Sequence, residues 1–228
     1  MLPRQHEVTR LEGFSDAVFG FSLTLLVVSL EPLRSSEELV MLARRSSAFA
    51  LTFAMVCYIW WEHNKFFRRY GLQDAWTAFL NSVLLFVVLF YVYPMKFLAT
   101  ALLGNMAHMK EVPPLGDGRL VMLLYSAGAA SVFALFILLY QHAWQQREKL
   151  GLDPAARLTL RFNRRAHLIS AALAVVSLGL SAVIHKDWLA IPGLLYGLMG
   201  PLHAWNGFSA GKAHAALEKA GSGQAANA

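Results

Sequence analysis

The stretch RLEGFSDAVFGFSLTLLVVSLEPL, residues 10 to 33, decides how this chain is read. It opens with Arg10, Glu12 and Asp16, then becomes almost wholly apolar until Pro32. A helix needs roughly 20 apolar residues to cross the hydrocarbon core of a bilayer. The composition agrees. Of 228 residues, 57% are hydrophobic and 15% are charged, whereas a soluble domain carries about 25% charged residues. So much apolar surface suits a bilayer better than one water-soluble core. Asp16 at the head of such a helix is costly unless it is paired or wet. What it does there is the first question.

A signal peptide is not expected. Charged residues precede the first run, and SLEPLRSSEE after it is too polar and too acidic for a cleavage site. The run is therefore expected to stay as a membrane helix. Reading onward predicts six spans, at about 13–33, 46–67, 75–102, 119–144, 166–185 and 188–207. Linkers at 103–118 and 145–165 separate them. These spans make residues 1–207 one transmembrane domain, with a polar, disordered tail over 208–228. The 145–165 linker, rich in Arg with interspersed leucines, reads either as an amphipathic helix on the membrane surface or as a solvated loop.

The net charge of +6 comes from Lys and Arg that flank apolar runs. It reads as membrane topology, and no nucleic-acid partner is expected. With the N-terminus inside, the cytoplasmic segments take Arg4, Arg10, Lys65, Arg68 and Arg69, then the basic residues of 145–165, Lys212 and Lys219. That is the larger share, so both termini are expected in the cytoplasm, with Arg44 and Arg45 opposing. Six tryptophans fall near predicted span ends, as interfacial anchors do. The single cysteine, Cys57, excludes an internal disulfide and reads as a small buried hydrophobe.

Two further polar residues lie at matching ends of the next spans, His63 in the second and Asn81 in the third. If the first three helices pack together, Ser15, Asp16, His63 and Asn81 meet at one depth, with Arg10 in snorkelling reach. The simpler reading has Asp16 capping the helix N-terminus and His63 at the interface. No H-E-x-x-H string occurs. The eight histidines are scattered, so an enzyme is not expected.

Beyond Asp16, Phe21, Leu25 and Val28 share one face of the first helix at i, i+4 and i+7, and Thr24 borders it. Ser15, Ser22 and Ser29 mark a second face at heptad spacing. Either stripe can face a pore. In the plainer reading the serines allow close helix packing and the apolar stripe meets lipid. Periodicity does not choose.

Arg10, Phe14, Ser15 and Asp16 form the pattern R-x-x-x-F-S-D, which continues into an apolar V-F and T-L-L-V-V run. With WWEHNKFF in the second span and LNSVLLF in the third, residues 8–104 resemble the prokaryotic transmembrane protein 175 family, potassium channels unlike the usual pore-loop type. The resemblance implies an all-α membrane protein of six transmembrane helices per subunit. One motif copy per chain implies a homotetramer, with the first helices lining a central path. It implies potassium in transit at the plasma membrane, and no cofactor or tightly bound metal. Carried over by position, the constriction falls on Phe21, Leu25 and Val28, with Thr24 beside them. The family usually has an aliphatic residue where Phe21 stands. Ser15, Asp16, His63 and Asn81 then support the pore helix, with Arg10 paired nearby.

The string T-V-G-Y-G is absent, so no carbonyl-cage filter is encoded. A hydrophobic neck that closes by dewetting is the expected mechanism. Thr24 either replaces waters lost from the ion or back-bonds to the carbonyl of Gly20. The alternatives are a secondary transporter or proton pathway through Asp16 and His63, and a non-conducting membrane scaffold.

Overall fold

The structure is a computed structural model that describes residues 8–28, 36–106, 118–185 and 188–226. All regular structure among these residues is helical. The order is α1 (Arg10–Val28), α2 (Ser36–Tyr70), α3 (Ala75–Met106), α4 (Gly118–Gln145), α5 (Pro154–Val183), α6 (Ala190–Leu194), a 3₁₀ turn (Leu195–Leu198) and α7 (Met199–Ala226). Four helices, α1, α3, α4 and α5, are long and apolar enough to cross a membrane. Residues 29–33, which end the first expected span, and 107–117 of the first linker lie outside the described residues.

Helix α2 stands where the second span was expected, but polar ends and a centre with Ser, Thr and Trp keep it out of the apolar four. Three expectations are corrected. The stretch 154–165 of the expected linker is helical and not a loop, and it runs without a break into the fifth span as the first turns of α5. Its start is written in Asp153-Pro154. The Asp153 carboxylate accepts from Ala156 N at 2.6 Å, and Pro154 occupies the first turn, where no N–H is needed. The sixth span is broken: α6 is five residues long, and a 3₁₀ turn leads into α7. Pro192, Gly197, Gly200 and Pro201 crowd this stretch and disfavour one uninterrupted helix. Finally, the residues after 208 continue α7 as far as Ala226, so the expected disordered tail is helical. Pro94 lies inside α3 without ending it.

Two helix–helix turns follow one recipe. Gly71 takes φ 56° just after α2, and its N–H reaches Phe67 O at 2.8 Å, which closes the helix end. Asp74 then caps α3, accepting from Trp76 N and Thr77 N at 3.1 Å. Between α4 and α5, Gly151 at φ 58° again precedes a capping Asp153, but its N–H reaches Glu148 O at 3.0 Å, within the turn beyond α4.

The chain divides into two compact units, Met1–Gly128 and Ala129–Ala228, and the division falls within α4. In the first, α1, α2 and α3 pack mutually. Phe19 and Leu26 of α1, Val56, Phe66 and Phe67 of α2, and Leu84 and Val88 of α3 are buried there. Tyr91 and Tyr125 meet with ring centroids 5.7 Å apart. Gly128 lies so close that a Cβ built on it falls 2.2 Å from Tyr91 Cδ2. In the second unit, His167 of α5 is stacked on Phe136 at 4.8 Å and lies 5.2 Å from Tyr140. Helices α5 and α7 are joined by Ser170 with His203 at 2.9 Å, and by Asn206 Nδ2 donating to Phe162 O at 3.1 Å. Cys57 is half-buried, more open than expected.

Candidate functional site

Helix α1 is started by a reciprocal cap, not by Asp16. Glu12 N donates to Thr9 Oγ1 at 3.1 Å, and Thr9 N donates to Glu12 Oε2 at 2.9 Å. The residues T-R-L-E are the S/T-x-x-E pattern of a capping box, a signal present in the sequence and overlooked. Asp16 lies well past it, inside the helix.

The helix has two opposite faces. Ser15, Phe19, Ser22 and Leu26, at i, i+4, i+7 and i+11, are buried within the subunit. The serines therefore do the packing work. Ser22 Oγ donates to Val18 O at 2.9 Å, so its hydroxyl is satisfied within its own helix. Ser29 lies outside the described residues. The other face is uncovered: Phe21 is 59% exposed and Val28 is 76% exposed. Phe14 and Thr24 are exposed with them, and Leu25 is half-buried. Thr24 back-bonds as expected in kind, but to Phe21 O at 2.7 Å, not to Gly20.

On the buried face, three of the expected polar residues meet. Asn81 Nδ2 donates to Ser15 Oγ at 2.9 Å, and Ser15 Oγ donates to Leu11 O at 2.7 Å. His63 Nε2 lies 2.7 Å from Asn81 Oδ1. Because the Asn81 amide nitrogen faces Ser15, its oxygen accepts, and His63 Nε2 carries the proton. The chain thus runs His63 to Asn81 to Ser15 to the carbonyl of Leu11, every link donating in one direction. All three side chains are almost fully buried. Phe19 and Phe67 enclose the imidazole, with centroids at 5.4 and 4.5 Å.

Asp16 does not join this chain. It is exposed, and its Oδ1 accepts from Trp60 Nε1 at 2.8 Å. Trp60, expected only as an interfacial anchor, is a second link between α1 and α2. Arg10 is exposed, with no ion pair or hydrogen bond to another described residue, so its expected pairing beside the cluster does not occur among them. Next to His63, Glu62 pairs with Lys65 Nζ at 2.7 Å. Among the described residues no hydrogen bond joins Asp16 to His63, whose own chain ends on a backbone carbonyl.

Known proteins are similar to this chain along most of its length. A family model described as "Endosomal/lysosomal potassium channel TMEM175" matches residues 10–91. The chain is 34% identical over 214 residues to a potassium channel of Marivirga tractuosa, covering 87% of this chain and 86% of that one. It is 26% identical over 194 residues to a potassium channel of Chamaesiphon minutus, covering 78% of this chain and 90% of the relative. Among solved structures, a variant of the potassium channel MtTMEM175 bound to a nanobody–MBP fusion superposes with a TM-score of 0.79 at 32% identity. The match covers 92% of this chain and 96% of that one. A TMEM175 homologue from Chamaesiphon minutus shares the fold at a TM-score of 0.50 and 23% identity, over 88% of this chain and 96% of its own.

Proposed function

The chain belongs to the TMEM175 family of potassium channels, and from that premise we propose that four copies surround one axis with α1 innermost. It is a multi-pass membrane channel and not an enzyme. One observation carries the pore reading. Polar contacts tie α1 to the rest of its unit at Ser15 and Asp16, while Phe21, Thr24 and Val28 are left uncovered. A helix pinned on one face and bare on the other is suited to line a path.

In this reading, rings of Phe21, Leu25 and Val28 form a hydrophobic neck. A narrow apolar neck closes by dewetting, and slight widening admits partly hydrated cations. Potassium sheds water more readily than sodium, so the neck favours it. The Thr24 hydroxyl proton is spent on Phe21 O, which leaves its oxygen lone pairs to face the ion. The Ser15–Asn81–His63 chain and the Asp16–Trp60 bond hold the helix from behind. Both termini lie in the cytoplasm at the plasma membrane, in keeping with the Lys and Arg distribution.

The test is flux from liposomes that hold the purified protein. Potassium efflux should exceed sodium efflux and run down its gradient without a coupled ion. Leu25→Ala should raise basal potassium flux, and Phe21→Ala should raise it further, because it removes the larger side chain from the neck. If neither variant changes single-channel current, the neck lies elsewhere.

A further inference from the structure

The turn between α4 and α5, and the first turns of α5, carry a basic surface that the pore reading leaves unused. Arg147, Lys149, Arg157, Arg161, Arg164 and Arg165 lie here, against Glu148 and Asp153. Both acids are already engaged. Asp153 caps α5. Glu148 accepts from Arg157 Nη2 at 2.9 Å and lies 3.5 Å from Arg147 Nε. Arg164 donates to Gln141. Arg161 and Arg165 remain without a carboxylate among the described residues. They are one turn apart on α5, a spacing that sets Cβ atoms about 6 Å apart.

Each of these two cations is laid on an indole. The Arg161 guanidinium carbon is 5.2 Å from the Trp144 ring centroid, and that of Arg165 is 4.1 Å from the Trp205 centroid. Arg147 shares the Trp144 ring at 4.8 Å. Stacking occupies the flat face of a guanidinium and restricts its motion. The N–H edge stays available for an acceptor, and that planar fork matches phosphate oxygens.

The depth of this surface indicates what meets it. The apolar helix α4 ends at Gln145, one residue after Trp144. Helix α5 has its last arginine at Arg165 and continues apolar from there. Indoles prefer the level of lipid headgroups, and the anions at that level are lipid phosphates. We propose that Arg161 and Arg165, held by Trp144 and Trp205, bind the phosphate of an anionic phospholipid. The occupant is a lipid of the surrounding leaflet, held from the flank of α5, and the proposal stands independently of which helix lines the pore.

The full chain in detergent is titrated with phosphatidylglycerol or phosphatidylcholine, and bound lipid is counted by native mass spectrometry beside the melting temperature. Phosphatidylglycerol should be retained and should raise the melting temperature, and phosphatidylcholine should do neither. The Arg161→Gln/Arg165→Gln double variant should lose about fivefold or more in phosphatidylglycerol retention. Arg161→Lys/Arg165→Lys keeps the charge and loses the fork, so it should fall between and is read alone if the glutamine pair fails to fold. The charge-matched control Arg68→Gln/Arg69→Gln, on the exposed end of α2, should retain lipid as the unaltered chain does. Equal loss in the control, equal retention of the two lipids, a lysine pair that binds as well as the unaltered chain, or the same stabilisation from inorganic phosphate alone would each overturn the proposal.

Discussion

Asn81 is the residue on which the α1–α2–α3 unit turns. It accepts from His63 and donates to Ser15, so removing it strands two buried polar groups from other helices at once. Asn81→Ala should cost about 2–4 kcal/mol, read as a lower melting temperature of the purified chain. Asp16→Asn should cost less than 1 kcal/mol, because the site is exposed and the amide oxygen still accepts from Trp60. This ordering differs from what the motif implied, in which Asp16 and His63 served one cluster. The meeting of Ser15, His63 and Asn81 was legible from their matched depths in three spans. The divergence of Asp16 was not, since neighbouring residues on a helix point about 100° apart and sequence depth alone does not say which one faces inward. Gly128 offers a second residue-scale test. A Cβ there overlaps the Tyr91 ring, so Gly128→Ala should destabilise by about 1–3 kcal/mol, and the Gly128→Ala/Tyr91→Ala double variant should lose less than the sum of the two separate losses.

At the scale of elements, hydropathy read α1, α3 and α4 correctly because their apolar runs are long and bounded by charge or by Pro and Gly. It misjudged the start of α5 because the turns carrying Arg157, Arg161, Arg164 and Arg165 are not apolar, and a hydrophobic scan sees only the part of a helix that lies in hydrocarbon. The Asp153-Pro154 cap was the available sign. The break between α6 and α7 was signalled by Pro192, Gly197, Gly200 and Pro201, which a scan for apolar length passes over. The start of α1 makes a measurable claim. Thr9→Ala removes one arm of the capping box and should cost about 1 kcal/mol in the melting of the chain. Asn at the same position should restore most of it, because Asn is also a good cap. If Thr9→Ala is neutral, residues before it hold the helix instead.

At the scale of the whole molecule, composition sufficed for the membrane class, and the resemblance carried by residues 8–104 for the family. The number of subunits was beyond reach of either, because in the proposed assembly it depends on a surface that would meet another copy. Helix α1 turns Ser15 and Ser22 toward its own subunit and leaves the large apolar side chains of Phe21 and Val28 outside it. In water such a layout would force molecules together, but acyl chains solvate Phe21 and Val28 as well as protein does. In the proposed assembly of four copies, each protomer would therefore be complete before it meets its neighbours, and joining them would depend on shape fit and crowding in the plane. Diluting the protein into a large excess of lipid should abolish chemical crosslinking between protomers and leave the helical circular dichroism unchanged. Were both signals lost together, folding and association would be one event, and the bare side of α1 would be an unfinished core rather than a finished wall.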